Sequence, residues 1–131
     1  MNILVGYIPT PEGLAAIDYA TAQATSTGAK LTVLNTGKDG NYAHPAFATA
    51  EDIDALEAGL TKAGIEHDVR RPDDGLGAAD ALLSVAEEIS ADLVVIGIRR
   101  RSAVGKLITG STAQAVLLGA NCPVVAVKAR S

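Results

Sequence analysis

Short runs rich in β-branched and aliphatic residues alternate along the chain with longer segments of helical periodicity, and this alternation most constrains the fold. The first run is Ile3-Leu4-Val5-Gly6-Tyr7. Thr10 then offers a side-chain oxygen as helix cap, and Pro11 a preset φ at the first helical position. Gly28 is a good stop for that helix, and Leu31 to Leu34 reads as a second strand. From Ala50 to Ala63, Ile53, Leu56 and Leu60 form an apolar stripe with acids between them, closed by Gly64. Ile65 to Arg70 alternates apolar and polar positions, as a strand near a sheet edge does. Leu76 to Ser90 carries a helical stripe of Leu82, Leu83, Val85, Ala86 and Ile89. Asp92 to Gly97 then reads as a central strand buried on both faces. Ser111-Thr112-Ala113-Gln114 has the spacing of a capping box, and Pro123 to Val127 makes a fifth strand.

Strand–helix–strand crossovers are right-handed, so this order predicts an α/β fold. The expected architecture is a doubly wound, open, parallel five-stranded sheet, Rossmann-like, with helices on both faces and strand order 3-2-1-4-5. Residues 1–131 are read as one domain, a normal length for a single core. Hydrophobic residues make up 48% and aromatics 3%, so that core is layered Ala, Val, Leu and Ile. In such a sheet ligands bind beyond the carboxyl ends of the strands, where strand order reverses. The loops after Tyr7 and Gly97 therefore face each other.

Several function classes are disfavoured. A formal charge of -4 argues against a nucleic-acid or membrane-surface binder. Cys122 stands alone, which excludes an intramolecular disulfide, and His44 and His67 have no metal-ligand spacing, so no metal site is expected. The acid pairs Asp73-Asp74 and Glu87-Glu88 read as solvated, Cys122 as a structural thiol, and Asp92 and His67 as exposed. No basic leader and no span of about 18 apolar residues is seen, and a cytoplasmic, reducing location is the expectation. No Ser-His-Asp arrangement, nucleophile elbow or paired carboxylate with a base can be read, so no catalytic residue is assigned and an enzyme is not expected. Ile8 and Arg70 end strands where a response-regulator receiver would need acids.

The segment from Gly97 to Ser111 is the most informative. Arg99, Arg100, Arg101 and Lys106, four of the 11 basic residues, fall between two glycines and a helix start. Free amides at the helix start and local positive charge suit an anion. The same residues would equally form a solvated basic face and a plain helix cap, and both readings stay open. A Walker A loop is excluded by Arg100 and Leu107, and a dinucleotide fingerprint by the lack of its glycines after Gly6.

This segment resembles the signature of the universal stress protein family: a glycine, two residues, a second glycine, nine residues, then Gly-Ser or Gly-Thr, a helix, and Cys-Pro before a last apolar strand. Gly97 and Gly110-Ser111 match in register, and Cys122-Pro123-Val124-Val125-Ala126-Val127 matches the ending. The resemblance implies an adenine nucleotide, ATP or another, with its base and ribose between the loops after the first, second and fourth strands. Its phosphates would rest on the signature glycines and the Gly-Ser helix start. Carried over by position, Gly6, Tyr7, Ile8, Thr36, Ile96, Gly97, Arg99, Arg100, Gly110, Ser111 and Thr112 would surround it. The resemblance also implies a stress-response role and a homodimer formed through the last strand.

Two positions depart from the family pattern. Arg100 replaces the second glycine, and Ile8 replaces the acid expected just after the first strand. The arginine side chain either blocks a close backbone approach or supplies a bidentate phosphate contact. Beside a nucleotide-binding module stand a dimeric interaction protein with a vestigial pocket and, further off, a weak ATPase.

Overall fold

The computed structural model describes residues 1–36, 50–72, 76–98 and 111–129. Its elements are β1 (Asn2–Tyr7), α1 (Pro11–Thr27), β2 (Lys30–Asn35), α2 (Ala50–Lys62), β3 (His67–Arg70), α3 (Ala78–Glu88), β4 (Leu93–Ile98), α4 (Ser111–Gly119) and β5 (Val124–Lys128). Thr10 caps α1, its Oγ1 accepting from the Gly13 N–H at 3.1 Å, and Pro11 takes the first helical position. Gly28 ends the helix with φ 72°, a left-handed conformation that glycine adopts without a Cβ penalty. Helix α3 is shorter than its apolar stripe predicts. Gly77 before it is extended, and Ser90 leaves the helical region at φ 53°.

The strands form one parallel sheet in the order β3-β2-β1-β4-β5, as the alternation predicts. Successive side chains on a strand point to opposite faces, so the unbroken apolar runs feed two cores at once. On one face Ile3, Val5, Leu31 and Val33 pack with Ala16, Ile17 and Ala20 of α1 and Leu60 of α2. On the other, Leu4, Leu34, Val94 and Ile96 pack with Ala81 and Leu82 of α3 and Ala113 and Val116 of α4. Each fully buried Val, Leu or Ile contributes roughly 1.5–3 kcal/mol, so the two layers hold the sheet ends in place.

The amino end of the sheet is tied by Asp92, whose carboxylate accepts from the Asn2 N–H at 2.7 Å. Asp92 is exposed, as expected. His67 is not; it is half-buried, and its Nδ1–H donates to the Ile65 carbonyl at 2.9 Å. The reason is that α2 packs on β3, so this edge strand is covered on one face. Arg70 bonds Asp68 and Glu88, joining β3 to the end of α3. Both partners are well solvated, so the pair adds about 1 kcal/mol at most. At the other edge, Val124, Val125 and Val127 of β5 are half-buried while Ala126 is exposed. Nearby on α4, Leu117 and Leu118 are 43% and 81% exposed.

Candidate functional site at the carboxyl ends of β1 and β4

A helix that follows a parallel strand runs back antiparallel to it, so α1, α3 and α4 all begin at the carboxyl end of the sheet. Their positive dipole ends meet there. A cavity of about 150 Å³ lies among them. Gly6, Tyr7 and Ile8 line it from β1 and its following turn, Thr36 from the end of β2, and Ile96 and Gly97 from β4. Glu12 and Gly13 of α1, Ala78 and Leu82 of α3, and Thr112 of α4 complete the wall.

Backbone contact sets this geometry. The turn after β1 is closed by the Thr10 N–H donating to the Ile8 carbonyl at 2.8 Å. That turn presses the start of α1 so closely on β1 that a Cβ at Gly13 would overlap the Ile8 carbonyl oxygen and stand 3.0 Å from its carbon. The same helical turn rests on β4. A Cβ at Gly97 would overlap the Glu12 carbonyl oxygen, 2.6 Å from the Glu12 carbonyl carbon and 3.1 Å from the Gly13 nitrogen. Gly97 therefore makes room for a helix backbone. On the α3 side, the Leu82 methyls lie 3.2 and 3.3 Å from where a Gly6 Cβ would be, filling that space with apolar surface.

The polar groups are few. Tyr7 is only 3% exposed, and its phenol is held above its ordinary pKa first by burial and then by the Asp52 carboxylate. It is a protonated hydroxyl at neutral pH. Thr36 is nearly enclosed, and its N–H donates to the Tyr7 carbonyl at 3.2 Å, extending the β1–β2 pairing by one residue. Its neighbour Asn35 is 1% exposed, and its Oδ1 has no donor among the described residues. Helix α3 follows Gly77, which as glycine has no side chain to cap the first amides at the cavity end of the fold.

Of the residues singled out from the sequence, Gly6, Tyr7, Ile8, Thr36, Ile96, Gly97 and Thr112 come together on this one cavity. Ser111 opens α4 beside Thr112. Arg99, Arg100 and Gly110 lie outside the described residues. Glu12, Gly13, Ala78 and Leu82 were not anticipated. The signal for Glu12 and Gly13 was available, since the first turn after β1 must return to the carboxyl end of the sheet. Ala78 and Leu82 stand four apart on α3, a spacing that puts both on one helix face.

A larger cavity of about 300 Å³ lies at the opposite end of the sheet, between the last turns of α3 and α4, with Glu87, Ser90, Asn121 and Cys122 in its wall. The negative ends of two helix dipoles and an acid face it, which disfavours an anion there. Cys122 is half-buried, and its thiol pKa is pushed up by burial first and by Asp92 second. Both effects suppress the thiolate, the nucleophilic form, in keeping with a structural thiol. Among the described residues, no three His, Cys, Asp or Glu side chains are grouped to hold a metal, and no helix is long and apolar enough to cross a membrane.

Comparison with known proteins agrees with the fold. The Universal stress protein family model matches residues 1–128. A universal stress protein of Mycolicibacterium smegmatis is 38% identical over 126 residues, 96% of each chain. One from Thermus aquaticus is 32% identical over 134 residues, covering 97% of this chain and 98% of the relative. Among solved structures, a universal stress protein from Archaeoglobus fulgidus superposes with TM-score 0.72 at 25% identity, covering 98% of this chain and 44% of that longer chain. Another from Archaeoglobus fulgidus, in complex with dAMP, gives TM-score 0.67 at 24% identity over 98% of both chains. An Arabidopsis thaliana family protein with AMP bound gives 0.66 at 14% identity over 100% of this chain and 93% of its own. The last two likenesses concern the fold alone. With its signature glycine Gly97 at the end of β4 and a family match along nearly its whole length, this chain belongs to the universal stress protein family.

Proposed function

We propose that the cavity at the ends of β1 and β4 binds the nucleoside part of an adenine nucleotide, and that the protein works as a nucleotide-responsive module in a stress response. One observation carries this reading most. Residues from β1, β2, β4 and α4 that the family pattern assigns to a nucleotide line one cavity at the point where strand order reverses. Proteins of the same fold are in complex with dAMP and with AMP. Ile8, Leu82 and Ile96 in the wall are apolar and suit a base, while Tyr7, Thr36 and Thr112 there are residues that carry a hydroxyl able to hydrogen-bond. At about 150 Å³ the cavity is smaller than the roughly 300–1,000 Å³ of whole small-molecule sites, which suits a nucleoside end rather than an entire ATP. The phosphates would extend toward the start of α4 and the basic segment containing Arg99 and Arg100. Calorimetric titration with AMP is the test, and saturable binding of one AMP per chain is expected. Absence of any heat of binding with AMP, ADP and ATP alike would defeat the reading.

The module is also proposed to act as a homodimer through β5. Among the described residues that strand is a sheet edge with no outer neighbour and four apolar residues, and such an edge needs covering. Light scattering should return twice the chain mass at concentrations well above micromolar. A monomer mass there would remove the dimer and leave the nucleotide site untouched.

A further inference from the structure

The cavity at the amino end of the sheet, about 300 Å³, reaches the roughly 300–1,000 Å³ of small-molecule sites. Its walls are the last turns of α3 and α4. The two helices meet closely there, since a Cβ at Gly119 would stand 2.9 Å from Leu83 Cδ1. Their ends differ. Helix α3 closes its own carbonyls, the Ser90 and Ala91 N–H groups donating to those of Glu87 and Ala86 at 3.2 and 2.8 Å. In α4 the Ala120 N–H reaches the Val116 carbonyl at 3.0 Å, but the carbonyls of Leu117, Leu118 and Gly119 accept no backbone N–H among the described residues. These groups point off the end of the helix. Neither helix carries Lys or Arg in its last turn to offset the dipole, and the described wall holds no basic residue. Glu88 bonds Arg70, whereas its neighbour Glu87, in the wall, has no ion-pair partner among the described residues.

We propose that this cavity binds an aliphatic amine of the diamine or polyamine class, one ammonium capping the open carbonyls of α4 and another pairing with Glu87. An ammonium carries three donors and no acceptor, so carbonyl and carboxylate oxygens are its natural partners. A cation at a helix carboxyl terminus is stabilised by the dipole, and here two such ends converge. Leu83, Ala86 and Ala120 in the wall suit the methylene stem of such a cation. The field is negative beyond Glu87 as well, since the Asp92 carboxylate helps hold the Cys122 thiol in its neutral form. A metal ion would want several ligating side chains, and no three His, Cys, Asp or Glu are grouped among the described residues. The cavity lies at the opposite end of the sheet from the nucleotide cavity, so this inference stands independently of that reading.

The test is to follow backbone amide resonances while 1,4-diaminobutane is added at constant ionic strength, with 1,4-butanediol as the uncharged control. Ser90, Ala91, Asn121 and Cys122 are expected to shift in a saturable way with the diamine and to stay in place with the diol. Glu87→Gln should weaken the diamine by roughly twofold to fivefold, the range of a solvated ion pair. Asn121→Lys, which puts a cation of the chain's own beside the end of α4, should block it. Equal response to diamine and diol would show an apolar groove and overturn the proposal. No saturable shift at millimolar diamine would also overturn it, and so would undiminished binding by either variant.

Discussion

Gly13→Ala is expected to destabilise the protein by about 3 kcal/mol or more, a cost at the upper end for a single added methyl. The new Cβ would overlap the Ile8 carbonyl oxygen, a backbone atom that cannot rotate away, and the surrounding turn is held by the bonds from Thr10 to Ile8 and from Gly13 to Thr10. Relief requires α1 to lift from β1, where Ala16 and Ala20 are fully buried. Gly59→Ala makes the control. Gly59 lies in α2, with nothing within 4 Å of its would-be Cβ, so alanine there should stabilise by about 0.5–1 kcal/mol through helix propensity and a less disordered unfolded chain. Urea denaturation of both variants measures the difference. Equal midpoints for the two would contradict the packing described at the start of α1.

Gly97→Ala is expected to be costly in two ways. Its Cβ would press on the Glu12 carbonyl, so stability should fall by about 2 kcal/mol or more, and the first turn of α1 must shift away from β4. That turn carries Glu12 and Gly13 of the cavity wall, so AMP affinity should fall with it, by roughly tenfold or more for a displacement on the order of 1 Å. Gly6→Ala is milder, because the groups it meets are Leu82 methyls that can turn aside. If Gly97→Ala unfolds at the wild-type urea midpoint and loses only ligand, then Gly97 serves the ligand directly and the helix-packing role is wrong.

These two glycines also show where sequence reading stops. The order of elements was legible because burial on both faces demands unbroken apolar runs, such as Leu93 to Ile96, and because caps such as Thr10-Pro11 and stops such as Gly28 act locally. The switch point followed from topology, and with it the convergence of the strand ends at Tyr7 and Gly97, whereas Thr36 was legible only through the family pattern. The family pattern marks Gly97 as a ligand glycine, but the atoms crowding it belong to Glu12, far away in sequence. Only the packing of α1 across β4 reveals that. Likewise, the alternation in β3 suggested an exposed His67, whereas α2 covers it, a tertiary effect that a strand pattern does not carry.

The most direct test of the central claim is to follow backbone amide resonances of the isotopically labelled protein while AMP is added. Amides of Gly6, Tyr7, Ile8, Thr36, Gly97 and Thr112 should shift in a saturable way, because they surround the cavity at the carboxyl ends of β1 and β4. Those of Ser90, Ala91 and Cys122, at the other end of the sheet, should stay in place. Saturable shifts confined to Ser90, Ala91 and Cys122, or no shifts at all at millimolar AMP, would contradict the assignment of this cavity as the nucleotide site.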